Sequence, residues 1–164
     1  MDAAVTAGQP APDAAPEREA VGAAMRAHQR AVDALDEAAA GALGINRTDL
    51  RCLDVLLAAG EMTPSRLSAA LGLTTGSVTA MLDRLERLGY LTRARDARDR
   101  RRTTVKPTPA AVEKAGALYG PLAADGARLL SPYTADELRL ITTFLEESRE
   151  LQEHHTTRIR SSTR

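Results

Sequence analysis

The densest chemistry in the chain lies between Arg93 and Arg102. The sequence there reads RARDARDRRR, with six arginines, two aspartates and no large apolar residue. The whole chain is balanced, with 22 Lys+Arg against 22 Asp+Glu. From Arg84 to Lys106, however, nine Lys/Arg face three acids, a local balance of +6. Guanidinium groups attract phosphates whatever the base sequence. An arginine on a projecting loop can also enter a narrow minor groove, where the potential is most negative. The plainer reading of any charge run is a solvated surface. Position favours DNA, because this run directly follows a helix-turn-helix pattern. Arg84, Arg95, Arg98, Arg100 and Arg101 are therefore candidate DNA contacts. An acid among them would only lower affinity unless it pairs. A carboxylate matches the guanidinium fork, so Asp99 is expected to hold Arg101 in a defined pose. The alternative is a solubility residue of little energetic weight.

A second candidate surface precedes the run. Thr75, Gly76, Ser77 and Thr79, with Ala80, Asp83 and Arg84 further along, lie off the apolar stripe of a helix that begins after Thr74. Small hydroxyl side chains permit close approach to a groove and can bond bases or phosphates. The helix N-terminus itself favours an anion. Thr74 reads as the cap rather than as a contact.

These groups need elements to position them. Val21, Met25, His28, Val32, Leu35, Ala39 and Ala42 are spaced alternately four and three apart, which is one stripe on a helix from Glu17 to Leu43. That stripe is too weak to stand alone in water and calls for a partner surface. Gly41 and Gly44 mark its end. A second helix is expected from Thr48 as cap, with Asp49 in its first turn and Leu50, Leu53, Leu56 and Leu57 inward, ending at Gly60. Thr63-Pro64 opens a third helix, carrying Leu67, Ala70 and Leu71 and stopped by Gly72. The fourth follows Thr74, with Val78, Met81, Leu82, Leu85 and Leu88 as its stripe and Gly89 beyond it. Leu91–Arg95 and Thr103–Lys106 suit the two strands of a hairpin around the arginine run. Thr108-Pro109 opens a fifth helix, which Gly120-Pro121 is expected to kink or break. Thr134 and Glu137 form a capping box for a last helix bearing Leu138, Ile141, Phe144, Leu145 and Leu151.

Composition bounds the rest. A chain of 164 residues fits one domain with helical extensions. Hydrophobic residues make up 43% and aromatics 2%, so the core is aliphatic. No apolar run approaches the roughly 18 residues of a membrane span. The N-terminal MDAAVTAGQPAPDAAPE lacks a basic segment followed by an apolar one, so it does not read as a secretory signal. It reads instead as a disordered Ala/Pro-rich tail. Cys52 is the only cysteine, which rules out an internal disulfide, and a cytoplasmic location is the expectation. Phosphate loop, GxSxG, Cys/His pairing and metal box are all missing from the sequence, so neither an enzyme nor a cofactor is expected. His154 and His155 are adjacent, and adjacent helical residues do not face one another, which argues against a metal. The expected division is a tail at 1–16, an N-terminal dimerisation helix at 17–45, a DNA-binding lobe at 46–108 and C-terminal dimerisation helices at 109–160.

From Leu43 to Pro109 the sequence LGINRTDLRCLDVLL…TPSRLSAALGLTTGSVTAMLDRLERLGYLTRARDARDRRRTTVKPTP resembles the MarR family of winged-helix transcription regulators. The most specific part is GSVTAMLDRLERLGYL in register with a D-x-x-D-R-R wing at Asp96, Asp99, Arg100 and Arg101. The resemblance implies a mainly α fold with a small β-wing, in which the helix after Thr74 enters the major groove of double-stranded DNA. It implies that Arg101, aimed by Asp99, enters the minor groove, although Arg100 is its immediate neighbour. It also implies a homodimer reading a pseudo-palindrome, commonly as a repressor released by a small aromatic or anionic effector bound between dimer domain and lobe. Arg26, His28 and Tyr119 are the candidates for lining such a pocket, with an interface role as the alternative for His28. Pro107 stands where the family commonly has an aliphatic strand residue and is expected to shorten the second wing strand. Two other readings stay open: oxidant sensing through Cys52, which requires an exposed electropositive site rather than a core position, and a non-specific architectural DNA-binding protein.

Overall fold

The computed structural model describes residues 14–95 and 103–162. The chain divides into two compact units, Met1–Lys114 and Ala115–Arg164. The first contains α1 (Ala15–Leu43), α2 (Arg47–Ala59), α3 (Pro64–Leu71), α4 (Thr75–Arg87), β1 (Leu91–Arg95), β2 (Thr103–Pro107) and the start of α5 (Pro109–Leu130). The second contains the rest of α5 and α6 (Ala135–Ser162). The fold is mainly α with a two-stranded wing, as the sequence implies. The Ala/Pro-rich segment before residue 14 lies outside the described residues.

Local chemistry sets most boundaries. Gly44 ends α1 in the left-handed conformation, φ 67°, while Gly41 lies within the helix. Thr63, Thr74 and Thr108 each accept a hydrogen bond from a backbone N–H in the first turn of α3, α4 and α5. The start of α2 corrects the sequence reading, because Asn46 rather than Thr48 is its cap. Asn46 is extended, its side chain accepts from Asp49 N at 2.9 Å, and Asp49 Oδ2 accepts from Asn46 N at 3.4 Å. This reciprocal box satisfies two orphan donors and draws the helix start forward, leaving Thr48 inside the first turn.

Between α3 and α4, Gly72 is left-handed at φ 66°. Ser68 locks the turn: its carbonyl accepts from Leu73 N at 3.1 Å and its hydroxyl donates to Leu73 O at 2.5 Å. Leu67 of α3 and Val78, Leu82 and Leu85 of α4 then bury completely against Leu56 of α2, Leu91 of β1 and Val105 of β2. These are the inward positions that the helical and strand periods select, so burial of this aliphatic set fixes the tilt of α4 on the lobe.

The strands are antiparallel, in register from Leu91↔Pro107 to Arg95↔Thr103. Pro107 does not shorten β2. It takes the last rung, opposite Leu91, where a strand terminus tolerates the missing N–H. Met62, between α2 and α3, adds an isolated bridge to β2 unforeseen from sequence: its N–H donates to Val105 O at 3.0 Å and its carbonyl accepts from Val105 N at 2.7 Å. Where α4 meets β1, Gly89 has φ 75° and donates to Glu86 O, while Tyr90 N donates to Leu85 O. Such a left-handed exit strongly favours glycine. The next residue, Tyr90, is buried. Its hydroxyl donates to Leu43 O at 2.7 Å and accepts from Lys114 Nζ at 3.2 Å, so one side chain ties the end of α1 to the α4–β1 junction and to α5.

In the second unit α5 runs through Pro121 without the break that was one of the two expected outcomes. Proline removes one ladder bond, but Ala117, Gly120 and Pro121 are exposed, so water can serve the freed carbonyl while the turns on either side hold. Thr134 and Glu137 form the expected capping box: Glu137 Oε2 accepts from Thr134 N and Oγ1 at 2.7 Å each. These bonds lower the Glu137 pKa. Along its 28 residues α6 buries none, and Leu140, Leu145, Leu151 and Ile159 are exposed. None of the described helices is long and apolar enough to cross a membrane.

Candidate nucleic-acid interface

The outward face of α4 begins with Thr75, Gly76, Ser77 and Thr79, all exposed. Thr74 Oγ1 accepts from Ser77 N at 3.2 Å and lies 2.9 Å from Ser77 Oγ. Thr79 Oγ1 donates to Thr75 O at 3.0 Å, which leaves its oxygen able to accept. Gly76 sits in the helix with φ outside the left-handed region, and a Cβ built there meets nothing within 4 Å. The fold therefore has no need of glycine at this position, and its absent side chain leaves open space on the outward face.

Two charged contacts hold α4 from below and from the side. Asp49, fully buried on α2, accepts from Arg84 twice, Nε to Oδ2 at 2.7 Å and Nη2 to Oδ1 at 2.5 Å. The hydrogen bond to Asp49 raises the Arg84 pKa. Sequence marks Arg84 as a DNA contact; its guanidinium faces Asp49 and bolts α4 to α2. The second contact is Arg93 on β1. Its Nη1 lies 2.6 Å from Asp83 Oδ1 and 3.1 Å from Glu86 Oε2, both on α4. Neither pair was read from sequence. The signal available for the first was Asn46 followed by an acid three residues on, a capping-box pattern that places Asp49 at a buried helix start.

Arg95 is the last residue of β1. Arg98, Asp99, Arg100 and Arg101, like Asp96, lie outside the described residues. Arg26 and His28 are exposed on α1, and Tyr119 lies on α5 in the other unit. A cleft of about 310 Å3 opens between α1, α2 and the end of α3, with Asp36, Arg47, Arg51, Asp54 and Leu73 in its lining. Burial, and then the neighbouring Asp36, raises the Asp54 pKa. Cys52 is fully buried, and burial, then the charge of Asp49, pushes its thiol up to about 12. It is therefore protonated near neutral pH, whereas oxidant chemistry requires the thiolate. Among the described residues, no group of three or more His, Cys, Asp or Glu is placed to hold a metal.

Residues 43–102 match the sequence model of the MarR family. YcgE of Bacillus subtilis, described as an uncharacterized HTH-type transcriptional regulator, is 41% identical over 124 residues, which is 76% of this chain and 80% of that protein. The chain belongs to the MarR family. Among solved structures, a mutant of E. coli MarR complexed with operator DNA superposes with TM-score 0.54 at 25% identity, covering 80% of this chain and 95% of MarR. A mutant MepR from a multidrug resistant S. aureus clinical isolate superposes with TM-score 0.66 at 19% identity, covering 80% of this chain and 96% of MepR, and shares the fold. The MarR-type features here are the helix-turn-helix of α3 and α4 and the wing of β1 and β2.

Proposed function

We propose that this chain is a cytoplasmic, homodimeric, sequence-specific DNA-binding transcription regulator, a repressor that a small aromatic or anionic effector releases from a pseudo-palindromic operator. The observation that carries the reading is α4 itself. It is capped by Thr74, bolted by Asp49–Arg84 and braced by Arg93, while its outward N-terminal face bears side chains no larger than threonine. A rigid helix with a small, hydroxyl-bearing face suits entry into a major groove. The arginine-rich loop between β1 and β2 supplies phosphate attraction and, through Arg101 aimed by Asp99, minor-groove contact. The E. coli relative bound to operator DNA supports the same use of this fold.

A second copy of the chain is the partner assigned to the exposed leucines of α6 and the Val21, Met25 and Leu35 stripe of α1, because long helices with uncovered apolar sides require one. Arg26, His28 and Tyr119 are the residues this reading gives to an effector. Selection of duplexes from a random-sequence pool by the purified chain tests the proposal. The expected product is a pseudo-palindrome with half-sites about one helical turn apart. Enrichment of single half-sites would remove the dimer, and no enrichment would leave a non-specific architectural protein.

Gly76 gives a further expected result. Gly76→Ala stabilises the fold by up to about 1 kcal/mol, since alanine is the better helix former and its methyl meets nothing. The same variant binds the selected duplex more weakly, because that methyl enters the space reserved for DNA. Urea unfolding and duplex titration read the two effects, and unchanged affinity would place Gly76 off the interface.

A further inference from the structure

Arg93 is the first arginine of the run, yet it is directed at protein. Nη1 bridges Asp83 and Glu86, Nη2 donates to Thr79 O at 3.4 Å, and the backbone N–H of Arg93 donates to Glu86 Oε1 at 3.3 Å. All these acceptors belong to α4, spread over two turns of its surface. The side chain is only 27% exposed, less than either acid. The strand ladder explains why the Arg93 N–H is available. Its partner in register, Val105, uses its own N–H and carbonyl on Met62, so the Arg93 N–H points away from β2 and Glu86 takes it.

We infer that Arg93 is a positioning residue that sets the angle of the wing on α4 and neutralises the two acids on that helix, so that both DNA-reading elements engage one duplex together. The inference rests on the DNA-binding reading above. A single ion pair near the surface does little for fold stability, so the fold is expected to tolerate loss of this cluster. Its effect falls on geometry. A planar guanidinium holding several acceptors fixes a direction that an ammonium cannot, and the fixed strand ends two residues later, at Arg95. Asp83 and Glu86 would otherwise present two unpaired carboxylates beside the phosphates.

The test uses the full chain and the duplex that the wild-type protein selects from a random pool. Glu86→Ala is expected to weaken binding roughly tenfold, the scale of coupling within one ion-pair network, although it removes a negative charge from the DNA-facing side. Arg93→Lys is expected to weaken it similarly with the salt dependence unchanged, since the charge stays and the fork is lost. The double variant is expected to lose little more than either single. Thermal midpoints near wild type keep folding separate from binding. Tighter or equal binding by Glu86→Ala would overturn the inference. So would Arg93→Lys binding like wild type while Arg93→Ala lowers the salt slope by about one, the mark of a phosphate contact. A readout without DNA separates failure of the clamp from failure of the DNA reading: in the free protein, amide exchange at Arg93 is expected to quicken in Glu86→Ala. Unchanged exchange would show that Glu86 does not hold the strand, whatever the duplex experiments give.

Discussion

Arg84→Met is expected to destabilise the fold by about 3–5 kcal/mol, the cost of leaving a buried charge without its partner. Asp49 is fully buried, and Arg84 supplies the two short hydrogen bonds that satisfy its carboxylate. With methionine at 84, the packing of the stem is largely kept while Asp49 loses its counter-charge. Asp49→Ala is expected to cost less, about 2–3 kcal/mol. The loss combines a capping-box carboxylate, worth about 1 kcal/mol, with hydrogen bonds to a charged group, about 1.5–3 kcal/mol. It is limited because the Arg84 side chain is 39% exposed and can turn to water. Urea midpoints at constant m measure both variants. An Arg84→Met protein as stable as wild type would mean that Arg84 is held loosely and serves the surface, where sequence alone places it.

Arg101→Ala is expected to weaken binding to the selected duplex by about 1–3 kcal/mol without moving the unfolding midpoint. Asp99→Ala is expected to weaken it too, despite removing a negative charge, because an arginine without its carboxylate partner loses its direction. Arg100→Ala is expected to act chiefly through phosphate attraction, with a smaller loss that shrinks further as salt rises. Duplex titration over a salt series measures all three. Wild-type affinity in Arg101→Ala would remove the wing assignment. Tighter binding by Asp99→Ala would make Asp99 an electrostatic brake.

The parts of this molecule that were legible in sequence are those that neighbouring residues decide. Thr63, Thr74, Thr108 and Thr134 cap helices because a hydroxyl reaches the first turn three residues on, and that geometry is visible in a string of letters. The aliphatic stripes of α2 to α4 are periodic, so the core of the lobe could be read as well. Thr48 is the cap that sequence alone suggests, and Asn46 takes the role because its side chain and that of Asp49 each bond the other's backbone N–H. The local cost of Pro121 predicts a disturbance that an exposed position in a long helix absorbs without a break. The pairs that position the site left no such trace. Asp49 and Arg84 are 35 residues apart and Tyr90 and Leu43 are 47 apart. Arg93 read as one more cation in a basic run, because its acceptors on α4 become its neighbours only when β1 folds back.

Sequence-specific binding rests on α4 and the wing. Its most direct measurement is a competition at one fixed salt concentration, in which the full chain, bound to the duplex it selects, is challenged with random duplex of the same length. The expected preference is about a thousandfold or more, the lower range for specific regulators. Equal displacement by random duplex would contradict it, leaving the arginine run as general phosphate attraction and α4 as a helix that reads nothing.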